Sequence, residues 1–419
     1  GLISTEEIDT AVTRVLTARF RLGMFDPPDK VPFAQIPISE NNTPAHQALA
    51  LKVAEESVVL LKNGGLLPLN RAKIKRIAVI GPNADSLSAL VGNYNGTPAR
   101  PVTILDGIKQ VAGDGITVTF APGCPVALRN DGTNAPTREM TAEAVAAARS
   151  ADVVIFVGGI TADYEREQSG GPDAFAGFSG GDRTRIELPE TQENLLEMLY
   201  ATGRPVVFVN CSGGAIAMPW EAARLPAIVQ AWYPGEEGGT AVANVLFGDV
   251  NPAGRLPVTF YSSTQDLPPF DDYSMSNRTY RYFGGHPEFA FGHGLSYTKF
   301  DYAGGTLDQS DYTADDTVKI SFLLKDSGAR DGDEVPQIYF RHIDSAVSQP
   351  KLALCGFTRI HLTRGQGARI TVNIPANRFR YWDTARQQYI VEPGDYELLV
   401  GAASDDIRLR VPLKIVAAN

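Results

Sequence analysis

The sequence has few cysteines, and their arrangement fits neither a metal site nor a small disulfide-stabilised fold. Cys124, Cys211 and Cys355 are spread over 419 residues without a CxxC pair. This spacing indicates neither a zinc ribbon nor a disulfide framework, while a single disulfide of undetermined pairing stays open. The five histidines are also far apart and show no HxxxH spacing, so a structural or surface role is the default for each of them.

The sequence also lacks an excess of positive charge and long apolar runs. Lys and Arg number 38 against 48 Asp and Glu, which gives a net charge of −10 at pH 7. This balance argues against non-specific binding to nucleic acid or to an anionic membrane surface. No apolar run approaches the roughly 18 residues of a membrane span, so we expect no membrane-spanning helix. The chain starts at Gly1 without a leader, so we expect any targeting segment to lie upstream or to have been removed.

The remaining composition is that of a globular protein, with 43% apolar and 21% charged residues, and the length allows two to four domains. At the start of the chain, Ser4 and Glu7 have the spacing of a helix-capping box, and apolar residues follow at helical intervals. This helix is predicted to end at Gly23 and the prolines after it. A second helix is predicted from about Pro44 to Lys62.

Through the middle of the chain, short apolar runs alternate with stretches of helical character. This alternation predicts a mostly parallel sheet that is covered by helices on both faces. The predicted strands are Ile77–Ile80, Ile116–Phe120, Val153–Val157, Val206–Val209 and Ile228–Ala231. The predicted helices are Ser86–Val91, Ala142–Arg149, Thr191–Thr202 and Gly238–Phe247. Because ligands of such sheets bind beyond the carboxyl ends of the strands, we expect functional residues in the loops after Ile80, Val157, Val209 and Ala231.

The pattern changes after Tyr297. Strand-like runs are separated there by turn signals such as Asp331-Gly332 and Pro393-Gly394-Asp395, which predicts an antiparallel β-sandwich. The predicted strands are Val318–Leu324, Glu334–Phe340, Ala368–Ile374, Tyr396–Val400 and Ile407–Val411.

The loop after Val157 is the one richest in groups that could transfer a proton. A carboxyl group on a glycine-rich loop can present a proton to a ligand, but a solvated acidic loop is the commoner explanation for these residue types alone. The loop has no GxxxxGK[ST] or GxGxxG pattern, which disfavours phosphate or dinucleotide binding. Its carboxylates are Asp163, Glu165, Glu167, Asp173 and Asp182.

Two further loops contain residues of interest. Asn93 and Tyr94, in the loop after Ile80, suit a sugar, because a ring stacks on the apolar sugar face and an amide bonds hydroxyl groups. A turn anchored by Tyr94 explains the same residues equally well. Ser212 follows a strand but lacks the GxSxG pattern, which excludes a serine hydrolase. Glu236 and Glu237 are expected to have a structural role at the positive end of a helix.

Taken together, these motifs resemble glycoside hydrolase family 3. The resemblance covers essentially the whole chain. In the first 300 residues it is carried by LLKNGGLLPL (60–69), IAVIGPNA (77–84), GGDRT (180–184), WYPGEEGG (232–239), NPAGRLPVTF (251–260) and FGHGLSYT (291–298). In the last part it is carried by DGDEVPQ (331–337), LCGF (354–357) and VEPGDY (391–396).

The resemblance implies a fold and a set of domains. The fold class is α/β, a mostly parallel six-stranded α/β sandwich followed by an all-β fibronectin type III-like sandwich. Residues 1–26 resemble the helix that closes an N-terminal barrel, and residues 27–43 are a linker. Residues 44–272 form the α/β domain, residues 273–300 are a linker that wraps back to it, and residues 301–419 form the fibronectin type III-like domain.

The resemblance also implies a function and a missing partner. Family members carry an N-terminal (β/α)8 barrel with an aspartate nucleophile in an SDW or TDW motif, which this sequence lacks. We therefore expect the carboxy-terminal part of a retaining, exo-acting, secreted or periplasmic β-glycosidase that releases β-linked xylose or glucose. It would need no cofactor or metal and would be inactive without the barrel. The alternative is a non-catalytic sugar-binding or scaffolding fragment, and the oligomeric state, including a homodimer, stays open.

The family's general acid/base is a glutamate in the loop before the GGDR-like motif, which favours Glu165, with Glu167 as the alternative. Asn93, Tyr94, Asp182 and Arg183 match family positions that shape or border the sugar pocket. An ion pair between Asp182 and Arg183 that holds the loop is the structural alternative for those two residues.

Overall fold

The computed structural model of the chain describes residues 2–165 and 174–417. It contains two compact units, Gly1–Leu49 and Ala50–Asn419. Among the residues described, none of the helices combines the length and the apolar character that crossing a bilayer would demand.

The helices and strands are numbered here in chain order. The helices are α1 Thr5–Arg21, α2 Pro44–Ser57, α3 Ile104–Ala112, α4 Arg138–Ser150, α5 Glu190–Tyr200, α6 Pro219–Arg224, α7 Gly238–Phe247 and α8 Thr279–Tyr282. The first ten strands are β1 Val59–Asn63, β2 Arg76–Ile80, β3 Thr117–Ala121, β4 Val153–Gly159, β5 Phe178–Ser179, β6 Asp182–Arg183, β7 Val206–Cys211, β8 Ala227–Gln230, β9 Phe300–Leu307 and β10 Asp311–Tyr312. The others are β11 Thr317–Asp326, β12 Gly332–Glu334, β13 Gln337–His342, β14 Ala353–Phe357, β15 Ile360–Leu362, β16 Gly367–Pro375, β17 Tyr381–Asp383, β18 Gln388–Ile390, β19 Gly394–Ala403 and β20 Asp406–Ile415.

Helix α1 of the first unit begins and ends where its sequence predicts. The Ser4 hydroxyl oxygen accepts a hydrogen bond from the Glu7 backbone N–H, and the Glu7 carboxylate accepts one from the Ser4 N–H at 2.7 Å. This reciprocal pair is the predicted capping box. The chain leaves the helix through Gly23, whose φ of 67° lies in the left-handed region. No residue of α1 is buried, so its whole apolar stripe is exposed.

The end of the second predicted helix is wrong. Helix α2 stops at Ser57, and the residues from Val59 to Asn63 form strand β1, which pairs antiparallel with β8. Val58, Val59, Leu60 and Leu61 are all buried. A continuous apolar run has no periodicity that separates helix from strand, and here pairing with β8 decides the conformation.

The second unit contains the predicted α/β domain. Its six-stranded sheet has the order β1-β8-β7-β4-β2-β3, and all neighbours except β1 and β8 are parallel. Buried side chains cover both faces, so the predicted doubly covered sheet is confirmed. The parallel strands follow the flavodoxin-like order, in which successive crossovers diverge between β2 and β4. Ligands of such sheets bind at this switch point, outside the carboxyl ends of the strands.

The helices beside β2 differ from the prediction. The predicted helix Ser86–Val91 is wrong, because these residues form turns. A helix that the prediction missed, α3, begins after Thr103, whose hydroxyl accepts a hydrogen bond from the Asp106 N–H at 3.2 Å. It packs directly against α7, because an added Cβ at Gly107 would overlap the backbone of Gly239.

We expect Gly239→Ala to destabilise the protein by about 3 kcal/mol or more, because its Cβ would overlap the backbone carbonyl of Thr103. Neither helix can move away without opening the core beneath it. Urea unfolding at neutral pH measures the loss. The control is Gly115→Ala, where an added Cβ has no neighbour within 4 Å. Equal stability of the two variants would contradict the close contact of α3 and α7.

The last part of the chain forms the predicted β-sandwich. A five-stranded sheet of order β10-β20-β19-β13-β14 faces a three-stranded sheet of order β16-β11-β9 across a shared apolar core. The predicted strand Glu334–Phe340 is divided into β12 and β13, with Pro336, which has no N–H for a ladder, at the break. A buried ion pair between Arg255 and Glu334, at 2.8 Å, joins the sandwich to the α/β domain.

The structure shows whether any of the three cysteines form a disulfide, which their spacing in the sequence left open. Cys124, Cys211 and Cys355 are all buried and free, so no disulfide joins any two of them. Burial raises the pKa of the Cys124 and Cys211 thiols to about 12 and raises that of Cys355 as well. Each thiol therefore stays protonated and packs as a small apolar group.

Candidate active site

Four loops meet at the carboxyl edge of the parallel sheet. Asn93 lies in the loop after β2, Glu165 after β4, Gly213 after β7 and Tyr233 after β8. These are the four loops in which the sequence predicts functional residues. Glu165 is hydrogen-bonded to the other three residues, so it is the centre of the cluster.

The backbone of Glu165 is held by its own turn and by the loop after β2. Directly after β4, the N–H groups of Tyr164 and Glu165 both donate to the Thr161 carbonyl, at 2.9 and 3.3 Å. The Asn93 side-chain amide donates to the carbonyl oxygen of Glu165 at 2.7 Å. Since β2 and β4 flank the switch point, Glu165 is fixed where a doubly wound sheet binds its ligands.

The carboxyl group of Glu165 is held from the other side of the cluster. Its Oε2 accepts a hydrogen bond from the Gly213 backbone N–H at 3.2 Å and another from the Tyr233 hydroxyl. Burial, together with the hydrogen bond to Glu165, raises the pKa of Tyr233 well above its usual range. The phenol therefore keeps its proton and acts as a donor to the carboxyl group.

Two glycines make room for this arrangement. An added Cβ at Gly213 would lie 2.6 Å from Glu165 Oε2 and 2.9 Å from Cε2 of Tyr233, closer than real Cβ contacts. An added Cβ at Gly214 would lie 3.7 Å from Glu165 Oε1. The loop after β7 thus lies against the carboxyl group with its backbone alone.

Arg183 contributes a positive charge beside the carboxyl group. Its Nη1 donates to the Ala215 carbonyl at 2.9 Å, and its Nη2 lies 3.2 Å from the Cβ position of Gly214. Burial lowers the pKa of Arg183, and the negative charge of Glu165 opposes this effect. Within the described parts of the chain Arg183 forms an ion pair with neither Glu165 nor Asp182, so the predicted structural pair with Asp182 is not formed.

The hairpin that carries Arg183 is anchored by a nearby carboxylate. Strands β5 and β6 pair Phe178 with Arg183, and a few residues later Glu187 accepts hydrogen bonds from both the backbone N–H and the hydroxyl of Thr264, at 2.9 and 2.7 Å. Burial would raise the pKa of Glu187, but these hydrogen bonds outweigh burial and lower it to about 2. Glu187 therefore fixes the segment after the hairpin as a permanent anion.

The other predicted site residues either lie at the edge of the cluster or fall outside the residues that the structure describes. Tyr94 is 91% exposed and has a φ of 59° in the left-handed region, and Asp182 is exposed in β6. Glu167, the alternative acid/base, lies outside the described residues, as does Asp173. Sequence reasoning missed Tyr233 and Gly213, although their loops were among the four expected to be functional.

A small cavity lies beside Arg183. It is lined by Ile160, Phe178 and Glu187 among others, and its volume of about 60 Å³ has room for a few water molecules. Glu165 is not among the residues that line this cavity. In residues 2–165 and 174–417, no group of three or more His, Cys, Asp or Glu side chains is placed to hold a metal ion.

Comparison with known proteins identifies two domains and several similar proteins. Residues 58–297 match the glycosyl hydrolase family 3 C-terminal domain, and residues 334–404 match the fibronectin type III-like domain. A xylan 1,4-β-xylosidase from Xylanibacter ruminicola is 32% identical over 98% of this chain and 62% of its own length. A periplasmic β-glucosidase from Salmonella typhimurium is 32% identical over 97% of this chain and 55% of its own. The solved structure of a β-glucosidase from Erythrobacter marinus, 32% identical, superposes with a TM-score of 0.82 over 96% of this chain and 54% of its own.

The chain therefore spans little more than half the length of these three proteins. The similarity nevertheless extends across nearly all of the chain itself, through both the α/β domain and the β-sandwich. The family domain matches more than half of the residues, and the chain belongs to glycosyl hydrolase family 3.

Proposed function

We propose that the chain supplies the general acid/base of a retaining, exo-acting β-glycosidase that releases terminal β-linked xylose or glucose. The observation that carries the proposal is the fixed carboxyl group of Glu165 at the switch point of the sheet, in a chain of this family. Xylose is placed first and glucose second. This choice of sugars is supported by two relatives, one named a β-xylosidase and the other a β-glucosidase, and the names describe those proteins.

A retaining glycosidase needs two carboxyl groups about 5–5.5 Å apart, one as nucleophile and one as acid/base. In the proposal the nucleophile comes from an N-terminal barrel portion. Support comes from the length of the relatives, since this chain spans only 62% and 55% of two of them. Glu165 first gives its proton to the glycosidic oxygen as the leaving group departs. It then takes a proton from the water that hydrolyses the glycosyl-enzyme intermediate.

The residues around Glu165 have different parts in this proposal. Asn93 positions the acid/base through the backbone of Glu165, and Arg183 keeps a positive charge beside the carboxyl group. The exposed ring of Tyr94 offers an apolar face to a sugar in a pocket that the barrel completes. Asp182, also exposed, is proposed to border the same pocket.

Activity of the 419-residue chain alone and with the barrel portion tests the proposal. On nitrophenyl β-xyloside we expect near-zero turnover from the chain alone, because a proton donor without a nucleophile cannot complete the cycle. Adding the barrel portion should restore turnover. Robust activity of the chain alone would contradict the proposal. Binding of xylo-oligosaccharides without turnover in the complete assembly would instead favour a sugar-binding or scaffolding fragment.

Two further points belong to the proposal. A secreted or periplasmic location is supported by the periplasmic relative and is tested by fractionating cells that express the complete protein. The oligomeric state, including a homodimer, stays open, and light scattering of the purified protein would determine it.

A further inference from the structure

We infer that Tyr233 is a positioning residue for the acid/base, and that Glu165 exchanges its proton through Oε1 and not through Oε2. The inference rests on the proposed role of Glu165. It goes further by assigning a task to a tyrosine from a different loop and by distinguishing the two carboxyl oxygens.

Oε2 of Glu165 accepts hydrogen bonds from two donors. The backbone N–H of Gly213 can only donate, and the Tyr233 hydroxyl keeps its proton because burial and Glu165 raise its pKa. Each carboxylate oxygen has about two lone-pair positions. The two donors occupy both lone-pair positions of Oε2. A proton bound to this oxygen would therefore repel the two hydrogens that are already donated to it. When Glu165 is protonated, its proton therefore lies on Oε1.

The surroundings of Oε1 are suited to proton transfer. This oxygen lies 3.7 Å from the Cβ position of Gly214, so residue 214 places no side chain against it. The Arg183 guanidinium lies beside the same glycine. One oxygen is thus held by two donors while the other faces a glycine, so the carboxyl group keeps its orientation in both steps of the reaction.

A purely structural role for Tyr233 is the competing explanation. Its ring packs against the backbone at Gly213 and lies 3.5 Å from the Cβ position of Gly92, and these contacts do not involve the hydroxyl group. Tyr233→Phe keeps the ring and removes only the hydrogen bond to Glu165. The variant therefore separates packing from positioning.

The first test is a titration of Glu165 in the 419-residue chain. Carbon-13 NMR of labelled glutamate carboxyl groups follows the titration, and the Glu165 signal is identified by its loss in Glu165→Gln. Removing a donor to the charged form should raise the titration midpoint in Tyr233→Phe by about one to two pH units. Tyr297→Phe is the matched control, because it also removes one buried hydroxyl bond, to the Val245 carbonyl at 2.8 Å. An unchanged midpoint in Tyr233→Phe would overturn the positioning role.

The second test uses the chain together with the barrel portion. In Tyr233→Phe the basic limb of the kcat/KM profile, where the general acid loses its proton, should move to higher pH by a similar amount. A limb that does not move would indicate that Tyr233 contributes packing alone and would overturn the inference. Failure of the proposed function is distinguishable, because Glu165→Gln would then leave turnover unchanged.

A separate measurement tests whether Glu165 exchanges its proton through Oε1. In a crystal structure of the complete assembly with a thio-linked disaccharide, the bridging sulfur should lie next to the carboxyl oxygen that Tyr233 does not contact. A sulfur beside the oxygen bonded to Tyr233 and Gly213 would overturn the assignment.

Discussion

Replacing Glu165 by alanine is expected to slow the hydrolysis of glycosides with poor leaving groups by about 10²–10⁴-fold, the usual contribution of a general acid. Substrates with good leaving groups need little protonation, so their first step should change far less. Their second step still needs a base, and azide should rescue it because an anionic nucleophile needs no deprotonation. Steady-state kinetics of the chain combined with the barrel portion, with and without azide, measure both effects.

The control for this prediction is Glu167→Ala, which removes the neighbouring carboxyl group in the same loop. We expect it to retain most activity on both substrate types. If Glu167→Ala shows the leaving-group dependence and azide rescue while Glu165→Ala does not, the acid/base assignment is wrong by two positions.

The second large effect concerns stability and involves two buried carboxyl groups away from the site. Burial raises the pKa of Glu221 to about 7 and that of Glu288 to about 8, and in Glu288 the charge of Glu221 adds to the effect. Glu288 Oε2 accepts a hydrogen bond from the Met218 N–H at 2.9 Å, whereas the Oε1 atoms of both glutamates have no partner in the described residues. Ionising either group inside the protein is therefore unfavourable.

The free energy of unfolding should consequently fall as the pH rises from about 4.5 to 8. Near pH 4 and below, both glutamates are protonated in the folded and the unfolded chain. Above that range the unfolded chain releases protons that the folded chain keeps, so stability falls by up to about 1.4 kcal/mol per pH unit for each group. The fall ends once the pH passes the folded pKa values of about 7 and about 8.

Urea unfolding between pH 5 and pH 8 measures this slope. Glu288→Gln should flatten the slope. Between pH 5 and pH 8 its free energy of unfolding should fall less than that of the wild type. The control is Glu143→Gln, which neutralises an exposed carboxylate on α4 and should leave the slope unchanged. Identical slopes in the wild type and Glu288→Gln would show that Glu288 ionises freely in the folded protein.

The sheet edge that holds the candidate site could be predicted from the sequence, whereas the individual contacts within the site could not. Alternation of apolar strands and helices predicts the parallel sheet, and the rule that ligands bind beyond the carboxyl ends of strands selects four loops. All four contribute, through Asn93, Glu165, Gly213 and Tyr233. The individual partners could not be predicted, because the contact of Tyr233 with Glu165 joins residues 68 apart whose meeting depends on strand order. The local hydrophobic periodicity of a sequence does not determine the order of strands in a sheet.

Errors in the predicted elements have the same physical origin. The run from Val58 to Leu61 is apolar throughout, so its pattern does not distinguish a helix from a strand. Pairing with β8 decides that the residues from Val59 onward form strand β1. Helix α3 contains one glycine, Gly107, which weakens its local helix signal. The same glycine allows α7 to approach, because an added Cβ there would overlap the backbone of Gly239. In both cases a tertiary contact outweighs the local preference.

The three inaccessible thiols give this protein an internal means of reporting its own opening motions. Because only the thiolate reacts readily, a modifying reagent should reach each sulfur mainly when the surrounding structure opens. Cys124 and Cys211 respond to opening of the α/β domain, and Cys355 responds to opening of the β-sandwich. A single time course of modification, resolved by peptide, can thus compare the kinetic resistance of the two domains without introducing a label.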